Sequence, residues 1–87
     1  MIATITITAE GARYLVRVAA PHEERRRILD GLRAVVRFRT ARRHPEAMTV
    51  ASRHRRALEV WADRESYAGA AVVWERADLA LLARGEG

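Results

Sequence analysis

The sequence has no cysteine, which excludes disulfides and thiolate metal sites and leaves the redox compartment open. Lysine is also absent, so every one of the sixteen basic residues is arginine. No apolar run exceeds a few residues, far short of the roughly 20 that cross a bilayer, and no membrane partner is expected. The opening MIATITIT lacks both a basic region and a continuous apolar stretch, so no secretory leader is expected and a cytoplasmic location is the default. There is no glycine-rich phosphate loop and no HExxH pair, and neither Ser52 nor Ser66 sits in a nucleophile elbow. The three histidines, His22, His44 and His54, have no metal-ligand spacing, and no cofactor or metal is implied.

What is present is an ordinary globular balance. The chain has 87 residues, 49% apolar and 31% charged, enough for a single domain built on one core. Its net charge of +5 is unevenly placed. The stretch Arg37–Arg56, RFRTARRHPEAMTVASRHRR, holds seven arginines against the single acid Glu46, a formal +6, whereas the rest of the chain sums to −1. The missing lysine has two readings: arginine's planar fork suits bidentate phosphate or carboxylate contacts, or a GC-rich genome writes arginine and alanine cheaply, with which seventeen alanines agree. Coding bias does not account for acids avoiding one stretch of twenty residues.

Periodicity gives an α+β domain. Residues 2–8 alternate, with Ala3, Ile5 and Ile7 on one side and Thr4, Thr6 and Thr8 on the other, as in a half-buried strand. Ala9–Ala12 form a short loop in which Gly11 supplies a positive φ. A second strand at about 13–19 turns Tyr14, Val16 and Val18 inward and Arg13, Leu15 and Arg17 outward. Pro21 suits the first position of a helix, followed by Glu23 and Glu24 where carboxylates complement the dipole. Ile28, Leu29 and Leu32 form its buried stripe, and Gly31 either ends it or is carried inside at about 1 kcal/mol. Val35 to Arg39 reads as a third strand, and Met48 to Val50 as a fourth. Ser52 is expected to N-cap a second helix reaching about Glu65, with Ala57, Leu58, Trp61 and Ala62 inward and Arg55 paired to Glu59. Ala70 to Trp74 is a fifth strand or a buried connector. Arg76 to Arg84 reads as a last short helix, ahead of a fraying tail at 85–87. The whole is expected as a mostly antiparallel sheet of four to five strands with two or three helices on one face, in a ββαββα-like order.

Two surfaces stand out. The second helix opens with Ser52-Arg53-His54-Arg55-Arg56, placing cations where the dipole disfavours them, whereas the first helix opens with acids. A bound anion would resolve that conflict, and the solvated alternative is that water screens it. The second surface is the sheet face away from the helices, which would present Thr4, Thr6, Thr8, Arg13, Arg17, Arg37, Arg39 and Thr49. Tyr14 and Phe38 are in phase with the buried side, so this outer face lacks a stacking platform for bases. Trp61 and Trp74 read as core or interface residues.

These surfaces support a small non-catalytic domain that binds nucleic-acid phosphates, DNA or RNA, with little base specificity. The expected binding residues are Arg37, Arg39, Arg42, Arg43, Ser52, Arg53, Arg55 and Arg56, with Arg13 and Arg17 as a secondary surface. The alternative is a regulator or inhibitor of mobile-element type that docks its basic face on an acidic partner protein. A homodimer through the unguarded edge of the first strand is a further expectation. A small ribonuclease using His44 or His54 as base, Glu46 as its partner and arginines for phosphate is conceivable, but no motif carries it.

Overall fold

The computed structural model describes residues 2–36, 38–40 and 47–76, the side chains of 38–40 excepted. The order is β1 (Thr4–Glu10), β2 (Arg13–Ala19), α1 (His22–Arg33), β3 (Phe38–Thr40) and β4 (Ala47–Ala51), then a three-ten turn (Ser52–His54), α2 (Arg55–Tyr67) and β5 (Ala71–Arg76). The fold is α+β, as expected. Its five-stranded sheet has the order β3-β4-β2-β1-β5. The β1–β2, β2–β4 and β3–β4 pairings are antiparallel, and β1 runs parallel to β5. The fifth segment is thus a strand rather than a connector. The helix expected at 76–84 finds Arg76 closing β5, and 77–87, the frayed tail included, lie outside the described residues.

Alternation in β1 and β2 does what period-2 patterning requires. Ile5, Ile7, Val16 and Val18 are buried, Thr4, Thr6 and Thr8 sit on the opposite face, and Arg13 and Arg17 are exposed. Both helices lie over the buried face, where Ile28, Leu32, Leu58 and Trp61 meet Met48 and Val50 in one core. Gly11 takes φ +62 at the first position of the two-residue β1–β2 turn, the geometry that favours glycine there. Gly69, at φ +107, ends α2 in a Schellman motif: its N–H donates to Ser66 O, and that of Ala70 donates to Glu65 O.

Several local expectations shift. Pro21 is the N-cap of α1 rather than its first residue, and its carbonyl accepts the first helical bond, from Arg25 N at 2.9 Å. Ser52 does not cap α2. It starts the three-ten turn, and neither Ala51 nor His54, at the two cap positions, makes a side-chain cap bond. The third strand begins only at Phe38, because α1 runs to Arg33 and Val36 is buried in the turn after it. The first strand has no free edge, being paired on one side to β2 and on the other to β5. A dimer through β1 is therefore ruled out, and the sheet edges among the described residues are β3 and β5.

Gly31 lies inside α1 where the two helices approach, and a Cβ built there would meet Trp61 Nε1 at 3.6 Å, an ordinary van der Waals distance. Gly31→Ala is accordingly expected to fit and to stabilise the protein by about 0.5–1 kcal/mol, through the backbone freedom that glycine loses on folding. Urea unfolding measures this, and a lowered midpoint would mean that the helix–helix contact has no room for a methyl group.

Candidate functional site

The direction of the strands decides which side chains meet. β4 and β5 both run parallel to β1, so the carboxyl ends of all three strands lie at one end of the sheet. Register makes this concrete: Glu10 faces Arg13, Ala9 faces Arg76, and Arg13 faces Ala51. The chain leaving Ala51 turns at once into Ser52–Arg56, tied to the hairpin by Ser52 N donating to Ala12 O at 2.9 Å. Arg13, Arg53, Arg55, Arg56 and Arg76 are therefore gathered at this end, and all are exposed.

The two surfaces expected from sequence thus join at the Arg13–Ala51 pair. Arg17 shares the outer face but sits four residues along β2, about 13 Å away at strand rise. Arg39 is in β3 opposite Thr49 in register. Arg37, Arg42 and Arg43 lie outside the described residues, as do His44 and Glu46 of the conceivable ribonuclease.

Electrostatic commitments differ among these arginines. Arg13, Arg17 and Arg56 have no hydrogen-bonded or ion-paired partner among the described residues. Arg53 Nε lies 3.5 Å from His54 Nε2, a long contact. Arg55 is held twice, donating from Nε to Glu59 Oε1 at 2.7 Å and from Nη1 to Tyr14 Oη at 3.1 Å. Its hydrogen bond to Glu59, with Tyr14 adding to it, raises its pKa and keeps it charged. The expected Arg55–Glu59 pair is present, with the Arg55 side chain still 62% exposed. Elsewhere, Arg27 donates to Glu24 at 2.6 Å and lies 3.5 Å from the buried Glu65, and the Arg27 hydrogen bond holds the Glu24 carboxyl below its usual range. That cluster fastens α1 to α2 at the opposite end of the sheet.

Beside the basic end is a cleft of about 430 Å³. Ala9 and Gly11 form its floor at the hairpin, Tyr14 and Arg55 one wall, and Trp74, Glu75 and Arg76 the other. No family model, curated protein or solved structure matches this chain.

Sequence reasoning missed Tyr14, Trp74 and Arg76 as site residues. The signal for Arg76 and Trp74 was the alternation Val72, Trp74, Arg76, which register places alongside Ile5, Ile7 and Ala9 on the helix-covered face. The helices leave the far end of β5 uncovered, so Trp74 is 42% exposed there. It meets Tyr14 edge to face, with ring centroids 6.2 Å apart and planes at 89°. The outer face still has no aromatic platform among the described residues; the available ring is on the other face, at the sheet's edge. No helix among the described residues is long and apolar enough to cross a membrane.

Proposed function

We propose that this chain is a small non-catalytic domain of the cytoplasm that binds the phosphates of DNA or RNA through the arginine-rich end of its sheet. The observation that carries the reading is the convergence of Arg13, Arg53, Arg55, Arg56 and Arg76 from four separate elements onto that one end. Arginine suits the task, because its planar fork meets phosphate oxygens in pairs and stays charged at any physiological pH. The opening of α2 supports it further: no acid lies in its first turn and no side chain caps it, so the helix dipole favours an anion there. Interactions of this kind position a backbone and read little sequence.

The test is binding of a random oligonucleotide over a salt series. Engagement of about five phosphates gives a log–log slope near −4.5 on duplex DNA. A flat response, or no binding at low salt, would transfer the basic end to an acidic protein partner and end the nucleic-acid reading.

A further inference from the structure

We propose that the cleft between the β1–β2 turn, the start of α2 and the end of β5 takes one unpaired nucleobase together with its phosphate. Trp74 stacks on the base and Arg55 meets the phosphate. This deepens the phosphate-binding reading by naming the form of nucleic acid, and for strand binding it rests on that reading.

Trp74 carries the inference. One strand inward, the same face of the sheet is fully buried, Ile5 and Ile7 being 0% exposed, yet this large ring is 42% exposed at the mouth of a cleft. The ring is not loose. Glu59 holds Arg55 at 2.7 Å, Arg55 holds the Tyr14 hydroxyl at 3.1 Å, and Tyr14 braces Trp74 edge to face. This relay fixes a cation and a stacking surface relative to each other before any ligand arrives, which removes part of the ordering cost of binding. Of the five N–H donors of a guanidinium, Arg55 uses Nε and one on Nη1, leaving its Nη2 pair and the other Nη1 hydrogen for an anion.

The pairing of ring and cation sorts the ligand. Glu75 follows Trp74 in β5 and so turns to the outer face, where its Oε2 accepts from Thr8 Oγ1 at 3.5 Å, away from a base stacked on Trp74. The exposed ring beside a fixed guanidinium matches the flat base and the phosphate of one nucleotide. A cleft of about 430 Å³ is in the usual range for small-molecule sites. A base inside a duplex would first have to leave its stack, so single strands are preferred.

Tryptophan fluorescence tests this, since Trp61 is buried and Trp74 reports on the cleft. The folded protein is titrated at low salt with a short oligothymidylate, a duplex of equal length, thymidine monophosphate and inorganic phosphate. Oligothymidylate is expected to quench Trp74 and to bind more tightly than the duplex. Trp74→Ala should abolish the quench and weaken oligothymidylate binding about five- to a hundredfold, the worth of one stacked base. Duplex affinity should not change. Trp74→Phe, which keeps a ring, should recover part of the loss, and a failure to do so would overturn the proposal. Quenching by the strand alone assigns the base to a polymer, and quenching by the monophosphate as well admits free nucleotide; both support the site. Monophosphate quenching with no oligonucleotide binding would keep the cleft and sink the polymer reading. The same quench from inorganic phosphate, or strand affinity unmoved in Trp74→Ala, overturns the cleft and leaves the phosphate reading to its salt slope.

Discussion

Trp61→Ala is expected to cost about 3–5 kcal/mol, the range for removing a buried aromatic ring from a core. Trp61 is 3% exposed and lies between the two helices, with its Nε1–H donating to Ile28 O at 3.3 Å and its ring edge against Gly31. Area bookkeeping gives a similar figure: a tryptophan buries about 150–250 Å², worth roughly 4–6 kcal/mol at 25 cal/mol per Å². For a domain of this size the total stability is only about 4–13 kcal/mol, so one substitution removes a large share of it. The corresponding fall in Tm is roughly 12–40 °C, readable by far-UV circular dichroism. Trp61→Phe isolates the N–H donor, since it keeps most of the ring, and should cost about 1 kcal/mol for the lost hydrogen bond plus the smaller volume. A Tm shift of only a few degrees for Trp61→Ala would mean that the helices do not depend on this ring to meet.

Trp61 also illustrates what the sequence reveals and where it falls silent. Its place in the stripe Ala57, Leu58, Trp61, Ala62 is legible because helical periodicity is local. That its partner is Gly31, thirty positions earlier, is not, and periodicity alone therefore cannot choose between Gly31 ending α1 and lying within it. The hairpin of β1 and β2 is legible because its signals are local too, since Ile–Thr alternation and a glycine turn settle it within the sixteen residues Thr4–Ala19. Val35 and Val36 suggest a strand because apolar residues beside Arg37 and Arg39 alternate, yet Val36 is buried from a turn. Burial alone does not make an extended backbone. The parallel pairing of β5 with β1 joins residues more than sixty apart, and no local pattern announces it. That single non-local fact removes the free edge of β1, brings Arg76 beside Ala9 and places Trp74 near Tyr14. The candidate site is therefore half legible: charge clustering points to the opening of α2 and to Arg13, but the cleft beside them exists only once the fifth strand is in position.

Replacing Arg53 and Arg56 together by alanine should weaken nucleic-acid binding roughly ten- to a hundredfold at about 0.1 M salt, since each phosphate neutralised there is worth about tenfold through counterion release. The log–log salt slope should become shallower by about 2, one unit for each arginine removed. The informative control removes the same charge elsewhere. Arg26 on α1 and Arg64 near the end of α2 are also exposed, and Arg64 lies eight residues from Arg56, about 12 Å along the helix axis. That exceeds the Debye length of about 10 Å at this salt, so Arg26→Ala with Arg64→Ala should change the affinity little. Unfolding does not confound the comparison. Removing cations from the start of a helix relieves their conflict with its dipole, by several tenths of a kcal/mol at most, and alanine is the better helix former. The Arg53/Arg56 variant should therefore melt at or slightly above the parent temperature while binding far more weakly. If both double variants lose affinity equally, the effect belongs to net charge and not to a place on the molecule, and the basic end of the sheet ceases to be a site.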